Sequence, residues 1–189
     1  MRKTLKVILL IVVSATMVSG CRNLGDDFII YEAVTKYGVT FDIPDRYKES
    51  FKTISSEYIY EDTKSSFMVS VAVTPIEYGP TLEEYLALLD ELYTTGYITN
   101  GDEIYSLTYD IHSNFTVLNN SVENINGIDM GKMDITYNLE QEGRDYFIKE
   151  EMYAVINDDQ IVAFTFLYEE KDEEKFYEII DHIVNSIKV

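Results

Sequence analysis

Tryptophan is missing from this chain of 189 residues, cysteine occurs once, histidine twice and proline three times, and acids outnumber basic residues by 34 to 15. Each shortage excludes a class of chemistry. A lone cysteine, Cys21, has no partner for an intrachain disulfide and makes no Cys-ligated metal cluster. A formal net charge of −19 repels nucleic acid phosphates and anionic headgroups, so nucleic acid is excluded as a partner and electrostatic docking on a membrane is disfavoured. Motifs with a chemical mechanism are also missing: there is no G-x-S-x-G elbow, H-E-x-x-H pair, Walker A loop, G-x-G-x-x-G turn or EF-hand loop.

What is present begins with an export signal. The head Met1-Arg2-Lys3-Thr4-Leu5-Lys6 is basic, and Val7-Ile8-Leu9-Leu10-Ile11-Val12-Val13 is an unbroken apolar run that loosens at Ser14. The run is shorter than the roughly 20 apolar residues a spanning helix needs, and fits a signal that is cut off. Val18-Ser19-Gly20-Cys21 resembles the lipobox read by the lipoprotein signal peptidase. That resemblance implies a diacylglycerol on Cys21, which becomes the new N-terminus, and a protein held on the outer face of a bacterial membrane. Two acyl chains bind a membrane stably where one binds only marginally. The expected layout is a signal peptide over residues 1–20, a lipidated N-terminus with a short tether over 21–27, and one globular domain over 28–189. Removing the first 20 of 189 residues leaves 169, enough for one sizeable core. It also removes three basic residues and no acid, leaving 12 against 34, a charge of −22.

Within the domain, residues 81–95 place Leu82, Tyr85, Leu86, Leu89, Leu92 and Tyr93 at helical spacing. Thr81 and Glu84 form a capping box after Pro80, and Gly96 supplies the stop. Residues 172–188 carry a second stripe of Phe176, Ile179, Ile180, Ile183, Val184 and Ile187. Strands are expected over 67–74, 121–124, 128–139, 144–156 and 160–168, punctuated by Asn126-Gly127, Glu142-Gly143 and Asn157-Asp158-Asp159. Such short connections predict a mainly antiparallel sheet. The 161–168 strand is apolar on both sides and belongs between two layers, whereas Met133, Ile135, Tyr137 and Leu139 alternate with Asp134, Thr136 and Asn138, which predicts one wet face or a place nearer an edge.

Tyr37-Gly38-Val39-Thr40-Phe41-Asp42-Ile43-Pro44 resembles the opening strand of PsbP-like and Mog-like domains. A hairpin, a helix near Thr81, a meander with the Asn126-Gly127 turn and a closing helix follow in the same order. The resemblance spans about 37–189 and implies an α+β fold, an α/β/α sandwich whose mainly antiparallel sheet has helices on both faces. The aromatic after the proline, often tryptophan in that family, is Tyr47. No residue set carries over a family activity.

Candidate chemistry is sparse. His182 falls outside the apolar stripe of its helix and reads as a solvated surface residue near a C-terminal dipole. Asp110, His112 and Ser113 are close in sequence, but neighbours on a strand point to opposite faces. Oxygen ligands in 157–159 and 124–129 coincide with turns, where Asn, Asp and Gly are favoured for backbone reasons, so no metal and no cofactor is expected. Sixteen tyrosines and nine phenylalanines are the remaining hint. Tyr58, Tyr60, Tyr97, Tyr105 and Tyr109 are candidates for a ligand surface, since tyrosine gives a large amphipathic contact at low entropic cost. The expected function is non-catalytic binding or scaffolding at the cell envelope, with an envelope protein or wall polymer as partner. An envelope hydrolase using a carboxylate pair and a small solute-binding lipoprotein are the alternatives.

Overall fold

The computed structural model describes residues 29–52, 56–62, 65–78, 80–95, 97–100, 103–106, 112–141 and 143–189; the signal, Val18, Ser19, Gly20 and Cys21 lie outside them. The described chain opens with a hairpin, β1 (Tyr31–Lys36) against β2 (Val39–Pro44). Strands β3 (Lys48–Lys52), β4 (Glu57–Glu61) and β5 (Met68–Pro75) follow, then helix α1 (Leu82–Thr95) and a small hairpin of β6 (Tyr97–Asn100) and β7 (Glu103–Ser106). The meander β8 (His112–Ile125), β9 (Ile128–Gln141), β10 (Arg144–Asn157) and β11 (Gln160–Glu169) leads into helix α2 (Glu173–Ser186). Seven strands form one antiparallel sheet in the order β3-β4-β5-β11-β10-β9-β8.

Period-two alternation gives this sheet two dry faces, and each has its own cover. On one face Val69, Val71, Phe164, Phe166 and Tyr168 meet Phe41 and Ile43 of the β1–β2 hairpin and Phe176, Ile180 and Ile183 of α2. On the other, Met133, Ile135, Leu139, Met152, Ala154 and Ile161 meet Leu82, Leu86, Leu89 and Leu92 of α1. The central strand β11 contributes to both cores, as its two apolar faces require. Gly131 lies directly under α1: a Cβ there would sit 3.3 Å from Leu86, so the missing side chain lets helix and sheet approach.

Local chemistry sets the ends of the helices. The Glu84 amide donates to Thr81 Oγ1 at 3.2 Å, half of the expected capping box. Helix α2 stops at Ser186, and the chain then pairs with β2, Lys188 N–H donating to Thr40 O at 2.8 Å and Thr40 N–H to Lys188 O at 2.9 Å. This places the last residues on the hairpin that covers the core.

One expected element moves. Tyr37 and Gly38 do not begin the opening strand; they form the β1–β2 turn, with φ of 53° and 78°, and the strand begins at Val39. A tight hairpin needs two consecutive positive-φ residues, and a strand does not. The turn is tied to the far end of the sheet, because Asn157 Nδ2 and Gln160 Nε2 both donate to Tyr37 O, at 2.8 and 3.0 Å.

Candidate functional site

Of the five tyrosines of the expected ligand surface, the structure describes the side chains of Tyr58 and Tyr60. Tyr58 and Tyr60 share a face of β4, the face beneath the β1–β2 hairpin, and there Tyr60 is a core residue, 2% exposed and edge-on to Phe41 at 6.0 Å. Tyr60 is therefore a core residue and not part of a surface: the β1–β2 hairpin covers it. Tyr58 is half-buried, packed against Tyr37 at 5.5 Å and Phe51 at 4.7 Å with the Lys36 ammonium 3.9 Å over its ring. Tyr97 and Tyr105 lie on the separate β6–β7 sheet, and Tyr109 lies outside the described residues, as does Asp110.

His182 is also more than a solvated residue. It stacks on Tyr31 with ring centroids 3.7 Å apart, and its Nε2 is 3.2 Å from Asp42 Oδ2. Both partners belong to the hairpin, so the histidine joins α2 to β1 and β2. The expected turns at Asn126-Gly127 and Asn157-Asp158-Asp159 form, with positive φ at Asn126, Gly127 and Asp158. In the first, Asn124 accepts from Gly127 N–H at 3.1 Å and donates to Asp129 at 2.7 Å, so these oxygens serve the turn.

Among the described residues, two clusters of charged side chains on opposite faces of the seven-stranded sheet differ in access. The accessible one lies on β9 and β10, beside α2. Since α2 covers the middle of the sheet, Lys132, Asp134, Thr136 and Asn138 of β9 and Lys149 and Glu151 of β10 keep partial exposure, and Phe147 is 60% exposed. The Lys149 ammonium bridges Glu173 at the start of α2 and Glu151, 3.6 Å away. Burial alone would lower its pKa, but the bond to Glu173 and the neighbouring carboxylates of Glu151 and Asp134 raise it, so the lysine stays charged. Burial likewise raises Asp134, against the pull of Lys132 and Lys149. Lys132 sits 5.5 Å over the Tyr153 ring. Tyr177, one helical turn beyond Glu173 and 67% exposed, stands on the flank of α2. The surface pairs charges, with Phe147 and Tyr177 exposed beside them.

The inaccessible arrangement lies on the opposite face of the sheet, with Glu150 against α1. Glu57 and Glu150 are 3% and 2% exposed, and Ser70 and Thr165 are buried beside them on the same face of the sheet. Ser70 Oγ donates to Glu57, and Tyr93 Oη of α1 donates to Glu150 at 3.0 Å. Burial pushes the Glu150 carboxyl up to about 7, the Tyr93 bond holding it down and the Glu57 charge adding to the rise. A carboxyl titrating near neutrality is a hallmark of acid–base sites, but this one is covered by a helix. The signal for it in the sequence was parity: Glu150 occupies the apolar register of Ile148 and Met152.

No family model matches the chain, and no curated protein matches it in sequence. Solved structures do match in fold. The cyanobacterial PsbP of Synechocystis sp. PCC 6803 aligns over 91% of this chain and 98% of its own, with a TM-score of 0.63 and 13% identity. The Ran-binding protein Mog1p of Saccharomyces cerevisiae aligns over 86% and 96%, with a TM-score of 0.54 and 11% identity. Protein PA94 of Pseudomonas aeruginosa, described as of unknown function and a putative regulator, aligns over 84% and 96% at 0.52 and 12%. The domain has the PsbP/Mog1-like α+β fold, a mostly antiparallel sheet with two helices, as the order of elements in the sequence implied.

Proposed function

We propose that this chain is an exported lipoprotein, anchored through a diacylglycerol on Cys21 at the outer face of a bacterial membrane, whose domain binds an envelope protein or wall polymer and does not turn over a substrate. The observation that carries the reading is Val18-Ser19-Gly20-Cys21 at the end of a short apolar run, placed just ahead of a single domain. Tyr31, where β1 begins, is ten residues beyond Cys21, so even a fully extended chain keeps the domain within roughly 35 Å of the lipid. Partners that are themselves fixed in the envelope are within its reach.

Two features of the fold support binding. The β9–β10 surface beside α2 presents paired charges and exposed aromatic groups to solvent, and the carboxyls of Glu57 and Glu150 are buried, Glu150 against Tyr93 of α1. Among the proteins of similar fold, one is named as Ran-binding and another as a putative regulator, names that belong with binding. The single sandwich of the described residues supports this reading over a two-lobed solute-binding build.

The test is incubation of the full-length protein in detergent with bacterial envelope fragments over a range of salt, and with esterase and glycosidase substrates. Co-sedimentation that falls as salt rises, without turnover, is the expected result, since exposed charges are screened beyond about 10 Å at 0.1 M. Turnover that disappears on replacing one carboxylate would overturn the reading in favour of the hydrolase.

A further inference from the structure

The two edges of the seven-stranded sheet are built differently. Strand β3 has five residues and begins and ends on lysine, Lys48 and Lys52, the short, charged kind of edge that prevents further strands from adding. Strand β8 has fourteen residues and contains no lysine, arginine or proline; its only carboxylate is Glu123. No strand among the described residues pairs with its outer side. The register to β9 shifts between Ser113 and Thr116 and again between Val117 and Asn119, and such bulges discourage addition at that end. From Asn119 to Ile125 the register is unbroken.

That regular stretch shows Asn119, Ser121, Glu123 and Ile125 on one face and Asn120, Val122 and Asn124 on the other, so each face carries one group that selects a neighbour by charge or apolarity at its centre, Glu123 and Val122. Asn119, Ser121 and Glu123 lie opposite Asp134, Lys132 and Met130, on the face that carries α2. Asn120 and Val122 lie opposite Met133 and Gly131, on the face of α1, where Asn120 Nδ2 donates to Leu86 O at 3.4 Å and Val122 packs against the core. A strand laid along β8 would therefore place alternate side chains beside the Glu123 carboxylate and beside Val122 with the flank of α1. A second copy of the chain is a poor occupant, because it brings another net charge of −19 and its own Glu123.

We propose, building on the binding function above, that the outer edge of β8 over residues 119–125 receives an extended segment of a protein partner in which basic and apolar residues alternate. Main-chain hydrogen bonds supply affinity, and the alternation supplies specificity, the apolar set facing Val122 and the basic set facing Glu123. The acidic envelope of the whole molecule steers such a segment to the edge.

The experiment uses full-length protein in detergent and a synthetic peptide alternating valine and lysine, with an alternating valine and glutamate peptide and a peptide of the same valines and lysines in two blocks as controls. The valine–lysine peptide alone is expected to bind, to slow amide hydrogen exchange in 119–125 and to leave 48–52 unchanged. Glu123→Lys should weaken it about tenfold and Glu123→Gln less, since an attractive cross-strand contact becomes a repulsive one; native-like circular dichroism of both variants shows that folding is kept. Equal binding of the blocked peptide, or protection elsewhere with Glu123→Lys binding unchanged, refutes the edge. A dimer that protects 119–125 without any peptide assigns the edge to a second copy and also refutes it. Co-sedimentation with envelope fragments in the absence of peptide protection leaves the binding function standing and removes only this assignment; loss of both removes both.

Discussion

The two faces of the sheet solve the same burial problem with different materials. Under the hairpin and α2 the core is aromatic: Phe67 stacks on Phe176 at 4.5 Å and Phe41 meets Phe164 edge-on at 5.0 Å. On the other face the core is mainly aliphatic, and Glu57, Ser70, Thr165 and Glu150 are buried there. A buried carboxyl is costly when charged, whereas a phenylalanine ring is indifferent to pH. The contribution of the phenylalanine contacts on the first face should therefore be constant with pH, and that of Glu150 on the second should not.

The largest effect expected is on the aromatic face. Phe164→Ala removes a fully buried ring between β2 and β11 and should cost about 3 to 5 kcal/mol, by the same amount at pH 5 and pH 8, as measured by denaturant unfolding of the full chain. A loss that varied with pH would show that the two faces are coupled and blur the contrast.

Glu150→Gln sharpens it from the other side. With a folded pKa of about 7 against an ordinary 4.5, the protonated carboxyl is favoured by the fold. Its contribution is fully present below about pH 4.5, is lost as pH rises towards 7 and is constant above. The loss from this one group amounts to about 3 kcal/mol at most. The glutamine variant should remove that slope, becoming more stable than the parent at pH 8. A slope that survives in the variant would place its origin elsewhere.

A smaller effect separates hairpin from sheet. Gly38→Ala forces a side chain into φ of 78° and toward Asn157, costing about 1 to 2 kcal/mol, with the melting temperature as the readout. An unchanged temperature would mean that the hairpin cover contributes little to the aromatic core.

This contrast was only partly legible in the sequence. Both helices were readable, ending at Thr95 and Ser186 within two residues of the expected bounds, because 3.6-residue periodicity and a capping box are local signals. The β9 to β11 meander was readable from its turns for the same reason. Strand β1 was not, since Tyr31–Lys36 has no fully buried position and its partner is known only once Tyr37-Gly38 is recognised as a turn. Without that hairpin Tyr60 looked exposed. Glu57 and Glu150 looked like two more acids among 34; their burial is a tertiary fact, set for Glu150 by where α1 lies. The β9–β10 surface was half visible in the alternation of Asp134, Thr136 and Asn138, but Lys149 and Glu173 meet only in the fold.

Everything proposed about partners depends on where the domain is held, and Cys21 decides that. The direct measurement is acyl labelling of the full chain expressed in a bacterial host, parent against Cys21→Ser, followed by detergent phase partition. The account predicts a labelled parent that enters the detergent phase and a variant that carries no label. Equal labelling of the two would contradict it.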